Sequence, residues 1–193
     1  MAKSYWNEKI SEHKKVVDLL AEDEKLIETI GEVADAIIDS YRNDGKLLLC
    51  GNGGSAADAQ HIAAELVARF QMERRALDAE ALTVNSSSLT AIGNDYSFDQ
   101  IFSRQVEAKG RKGDVLVGIT TSGNSKNVIK AIEQGNEIGM VTVGLTGGKE
   151  GVKIAEVSKL CIAVPSIDTP RIQEIHILIG HMLCGYIEEK LFA

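Results

Sequence analysis

The run Lys46-Leu47-Leu48-Leu49-Cys50-Gly51-Asn52-Gly53-Gly54-Ser55 decides how this chain folds. An unbroken apolar segment of strand length meets a glycine-rich turn, and the residues from Ser55 to Phe70 then follow a helical pattern. Continuous rather than alternating apolar character belongs to a strand covered on both faces, as in a parallel sheet. The glycines let the backbone approach a ligand closely and take positive φ. Ser55 is available to cap the helix. A plain tight turn would also accept these residues. The spacing is not G-x-G-x-x-G, and no acidic residue ends a following strand at the distance a dinucleotide ribose requires, so a dinucleotide reading is weak.

Outward from this segment the same rhythm repeats. Strands are predicted at Lys46–Cys50, Ala81–Val84, Asp114–Ile119, Val141–Leu145 and Lys159–Val164. Helices are predicted at Ser55–Phe70, Asn127–Ile138 and Arg171–Leu191, with short helical pieces at Ser88–Ile92 and Phe98–Ala108. The alternation gives an α/β fold: a doubly wound, mainly parallel five-stranded sheet flanked by helices. Ahead of it, Trp6, Ile10, Val17 and Leu20, then Leu26, Ile30, Val33, Ile37 and Tyr41, recur at helical spacing until the turn Asn43-Asp44-Gly45. This N-terminal helical pair has wide apolar faces, expected to pack on the sheet and against another subunit. Both prolines, Pro165 and Pro170, fall between the last strand and the last helix, where Pro170 suits a first helical turn. With no linker or repeat, residues 1–193 read as one domain, 1–44 serving packing and oligomerisation and 45–193 forming the α/β core.

Of the 193 residues, 44% are hydrophobic and 25% charged, with a net charge of -7. No basic stripe is present, which argues against nucleic acid. No run approaches the roughly 18–20 apolar residues of a membrane span. The N-terminus passes straight into a charged amphipathic pattern without a secretory signal. Cys50, Cys161 and Cys184 are odd in number and lie in apolar contexts, which suits reduced, buried thiols and the cytoplasm.

In open α/β sheets the ligand crevice lies beyond the carboxyl ends of the strands. A second loop there, Thr120-Thr121-Ser122-Gly123-Asn124-Ser125, joins hydroxyls to a helix N-terminus and forms a lysine-free anion cradle. Such residues also favour simple helix caps. No Gly-Lys-Ser/Thr follows, so this is not a Walker loop. His61 and Glu65 are four apart on the helix after the glycine turn and share one face. An imidazole and a carboxylate at that spacing serve as metal ligands or as a base–acid pair. Arg69, four residues beyond Glu65 in the same predicted helix, lies on the same side, where it adds positive charge to the crevice or a neighbouring subunit or forms a surface salt bridge.

Cys50–Ser55, Asp58-Ala59-Gln60-His61, Glu65, Gly93-Asn94-Asp95, Thr120–Ser125, Arg171-Ile172-Gln173-Glu174-Ile175-His176 and His181 occur in that order. Together they make the chain resemble the sugar isomerase (SIS) domain family over essentially its whole length. The resemblance implies isomerisation of sedoheptulose 7-phosphate to D-glycero-D-manno-heptose 7-phosphate, towards bacterial surface heptoses. It also implies homotetramers with active sites at subunit contacts and one zinc per subunit. On the same resemblance Thr120, Thr121, Ser122 and Ser125 hold the phosphate. Asn52, Gly53, Gly54, Ser55, Asn94, Asp95, Glu65 and Gln173 hold the sugar. Glu65 and His181 are the catalytic pair, and His61, Glu65, Gln173 and His181 the metal set. Gln173 and His181 stand about 12 Å and roughly 80° apart on a helix. His176 is therefore the easier partner for Gln173 on spacing, and the resemblance leaves it a structural role. A catalytically silent SIS module that associates with a protein such as a replication initiator would keep the fold without needing Glu65 and His181. Other phosphosugar isomerases and sugar-sensing regulators share the fold too.

Overall fold

The computed structural model describes residues 2–193; Met1, the first residue of the expected domain, lies outside them. Helices α1 (Ala2–Glu22) and α2 (Glu24–Arg42) precede β1 (Leu47–Gly51), α3 (Gly54–Val67), β2 (Ala79–Ala81) and α4 (Ser86–Asp95). After a 3-10 turn at Phe98–Gln100 come α5 (Ser103–Lys109), β3 (Val115–Thr120), α6 (Lys126–Ile138) and β4 (Val141–Gly147). The chain closes with α7 (Lys153–Val157), β5 (Leu160–Val164) and α8 (Thr169–Phe192). The sheet runs β2-β1-β3-β4-β5 with every pair parallel, as the apolar strands require.

Every residue of β1 and β3 is buried. Leu47, Leu49, Val115 and Val117 point into a core shared with α2, α3 and α8, while Leu48, Cys50 and Leu116 point to Val106 of α5 and Val128 and Ile132 of α6. Sandwiching the sheet in this way removes apolar side chains on both faces from water. Chain order reverses between β1 and β3, whose ends are in register at Cys50↔Gly118 and Gly51↔Ile119. The loops after those two strands therefore lie side by side at the switch point, where such sheets take their ligands.

The helical pair fits less completely into one chain. Asp23 Oδ1 accepts from Leu26 N at 3.0 Å to cap α2, which buries Leu26, Ile30, Val33, Ile37 and Tyr41. On α1, Val16 and Leu20 are buried, whereas Trp6 and Ile10 are 62% and 67% exposed.

Several predicted boundaries move. The second strand is Ala79–Ala81 rather than Ala81–Val84. It is an edge strand whose central Glu80 pairs with Lys109 at 2.7 Å, which hides it from an apolar pattern. Val84 is exposed in the turn before α4. Helix α7 has no counterpart in the sequence reading; one short turn around the buried Ile154 carries no readable period. Helix α3 ends at Val67 rather than Phe70, so Arg69 leaves the helical face and pairs in solvent with Glu73 at 3.6 Å. The cap of α3 is Gly53 and not Ser55, which is buried in the first turn.

All three cysteines are unpaired, and burial pushes the Cys50 and Cys184 thiols up to about 12, far from a reactive thiolate. Among the described residues no helix is long and apolar enough to cross a membrane.

Candidate active site

The two loops at the switch point enclose a pocket of about 150 Å³. Asn52, Ser55 and Gln173 line one side, and Thr120, Thr121, Ser122 and Ser125 the other. Thr120 Oγ1 lies 2.9 Å from Ser125 Oγ and 3.3 Å from Ser122 Oγ, so three hydroxyls converge at the start of α6. Ser125 is the residue before α6 but its side chain makes no capping bond, leaving it turned to the other hydroxyls. Gly123 takes φ +68°, and a Cβ there would stand 2.9 Å from Thr146 Oγ1. Neutral donors at the positive end of a helix dipole suit an anion without any lysine.

The glycine turn is shaped for close approach. Gly53 has φ +56°, and a Cβ on Gly54 would sit 2.9 Å from Cδ of Gln173. A side chain at position 54 would thus displace Gln173 from the pocket. Asn52 and Asn127 exchange reciprocal side-chain amide bonds of 2.9 Å, which tie the glycine turn to the start of α6.

Helices α3 and α8 run in the same direction, because Gly54 meets Gln173, Ile62 meets Gly180 and Phe70 meets Gly185. Two turns along them, His61, Glu65 and His181 assemble, with one ligand atom from each lying within 4.8 Å of the others. His61 Nε2 is 2.9 Å from His181 Nε2 and 3.3 Å from Glu65 Oε1. Two imidazole nitrogens facing each other need either one proton or one cation between them. Two histidines and a carboxylate also make a donor set that zinc accepts in catalytic sites, so these residues fit a metal ion. By helical rise the trio lies about 10–12 Å from the anion pocket.

Not every predicted residue joins these two centres. Gln173 lines the anion pocket and makes no hydrogen bond to the trio among the described residues. Asn94 and Asp95, bonded to each other at 2.9 Å, end α4, a helix without a single buried residue, and are exposed without lining the pocket. His176 is fully buried, donating from Nε2 to the Thr146 carbonyl at 3.2 Å; burial pulls its pKa down to about 4, only partly opposed by that bond. Three residues without an expected role also touch the site. Asn127 holds Asn52, and Phe70 stacks on His181. Asp58 lies on the α3 face between pocket and trio with one buried oxygen lacking a protein partner, and burial raises its carboxyl pKa despite nearby His61. Spacing alone could have flagged Asp58, three residues before His61; nothing in the sequence links position 70 to 181.

Comparison with known proteins identifies the family and the fold. The SIS domain family model matches residues 13–147. The phosphoheptose isomerase of Rhodospirillum rubrum is 59% identical over 162 residues, covering 84% of this chain and 86% of that protein. The solved phosphoheptose isomerase of Neisseria gonorrhoeae superposes with TM-score 0.91 at 45% identity, covering 98% of this chain and all of that one. That of Francisella tularensis gives TM-score 0.93 at 36% identity over 98% and 99% of the two chains.

Proposed function

Since the chain belongs to the SIS domain family, with phosphoheptose isomerases as its near relatives, we infer that it converts sedoheptulose 7-phosphate into D-glycero-D-manno-heptose 7-phosphate. The observation that carries this reading is the meeting of His61, Glu65 and His181 two helical turns from a hydroxyl-lined anion pocket. A phosphate gripped at Thr120, Ser122 and Ser125 leaves the far end of an extended seven-carbon sugar to reach the trio.

Ketose-to-aldose conversion moves a proton from C1 to C2 through an enediol. We assign Glu65 as the base that takes the C1 proton and returns it at C2. His181 carries the compensating proton from the O1 hydroxyl to O2. Each partner of this kind contributes about 10²–10⁴-fold. Asn52, the amides of Gly53 and Gly54, Ser55 and Gln173 orient the chain of hydroxyls between the two ends. His61, Glu65 and His181 would hold one zinc ion per subunit; Gln173, turned to the anion pocket in this structure, would join as a fourth donor only by swinging towards the trio. When bound, such an ion polarises the carbonyl and hydroxyl oxygens. Nε2 of His181 can carry a proton or a metal but not both at once, so removing the metal separates the two roles.

We assign residues 1–193 to one domain and a homotetramer as the working form. Exposed Trp6 and Ile10 on α1 and exposed Tyr96 and Phe98 beside α4 support subunit contact. In such an assembly Asn94 and Asp95 would serve a neighbour's sugar. Three unpaired thiols, of which Cys50 and Cys184 are buried and Cys161 only partly so, support a cytoplasmic address, and the product would feed bacterial surface heptoses such as those of lipopolysaccharide. Nothing favours a silent binding module, because the acid–base set is intact. Incubating the protein with sedoheptulose 7-phosphate, with and without chelator, and following anomeric proton signals by NMR tests the reading: an aldose signal supports it, and an unchanged ketose spectrum in both samples rejects it.

A further inference from the structure

The most built-up polar arrangement outside the sugar crevice stands where α3 ends. Glu188 on α8 and Arg74 have side chains only 1% exposed and meet at 2.9 Å. The Glu188 carboxylate also accepts from three successive amides, of Phe70 at 2.8 Å, Gln71 at 2.7 Å and Met72 at 3.0 Å. Arg74 donates in turn to the carbonyls of Glu65, Leu66 and Ala68, acceptors that the end of α3 leaves without helical partners. A buried carboxylate is costly unless fully satisfied, so such a lock fixes one path for residues 68–74.

That path sets the Phe70 ring against the His181 imidazole, with centroids 5.5 Å apart and planes 23° from parallel. A functional imidazole is usually oriented by a hydrogen bond at the ring nitrogen away from the chemistry. Among the described residues His181 has only its Nε2 contact with His61, and Nδ1 has no side-chain or backbone partner. The face of an aromatic ring is what remains to hold it, and stacking at this separation is attractive.

We propose that Phe70 is a positioning residue for His181, held in place by the Glu188–Arg74 lock. The proposal rests on His181 being the proton carrier of the isomerase. Its test is steady-state kinetics on sedoheptulose 7-phosphate with wild type, Phe70→Leu and Phe70→Tyr, each checked for a wild-type melting transition. Leucine keeps an apolar filling but lacks the planar face. Misorienting a reacting group costs roughly 10–100-fold, so Phe70→Leu should lose that much kcat with KM within about two-fold, and Phe70→Tyr should recover it. A crystal structure of Phe70→Leu should show His181 turned from the His61 contact. Wild-type kcat in a folded Phe70→Leu, or a loss expressed in KM alone, overturns the proposal and leaves the isomerase reading intact. An inert wild type overturns both.

Discussion

Glu65 and His181 are 116 residues apart in sequence, yet their side chains meet because α3 and α8 lie parallel and in step. Glu65→Gln keeps the shape and the hydrogen-bonding oxygen but cannot accept the C1 proton. It should lower kcat by about 10²–10⁴-fold with little change in KM; steady-state assays that return near-wild-type kcat would remove Glu65 from its role. Ser122→Ala acts at the other end of the sugar. Losing one hydroxyl from the anion pocket should raise KM severalfold while kcat holds, a split readable in the same assay. At this scale the sequence was informative where residues share a helix, as His61 and Glu65 do. It was silent on Asn127 and Phe70, whose partners come from distant segments.

Helix α8 is more than a carrier of Gln173 and His181. His176 is buried without a charge, its pKa drawn from 6.5 down to about 4, whereas in the unfolded chain it titrates near its ordinary value. Between those values the unfolded state binds the proton more readily. Stability from this residue is therefore full above about pH 6.5 and declines towards pH 4, by up to about 3 kcal/mol. Urea titrations at pH 7.5 and 5 should show a smaller pH difference in His176→Gln than in wild type. The Glu188–Arg74 pair at the other end of α8 gives a second measurement. Arg74→Ala removes the counter-charge of the buried Glu188 carboxylate and the side-chain donor of the Glu65 and Ala68 carbonyls, and should cost about 3–5 kcal/mol in urea unfolding. The long elements and the parallel sheet were legible because their apolar periods are strong. Strand β2 and helix α7 were not, since an edge strand broken by Glu80 and a single turn around Ile154 owe their form to neighbours rather than to pattern. The end of α3 at Val67 is likewise set by Arg74 and Glu188 from outside the helix.

For the whole molecule, the open question is what covers Trp6, Ile10, Tyr96 and Phe98. Sedimentation should give a species of about four times the 20.8 kDa chain. Trp6→Glu with Ile10→Glu should break it into smaller ones that also lose turnover if Asn94 and Asp95 act across the contact. Prolonged chelation should lower the melting temperature if the trio holds an ion, because a ligand bound only by the folded state stabilises it. Turnover itself rests on proton transfer by Glu65 to and from a phosphate-anchored sugar. The most direct measurement is conversion of sedoheptulose 7-phosphate in deuterium oxide, read by NMR at C2 of the aldose. Exchange on the carboxylate competes with return of the proton, so wild type should place a fraction of solvent deuterium at C2, whereas Glu65→Gln should give neither product nor exchange. Deuterated product formed at the wild-type rate by Glu65→Gln would contradict it.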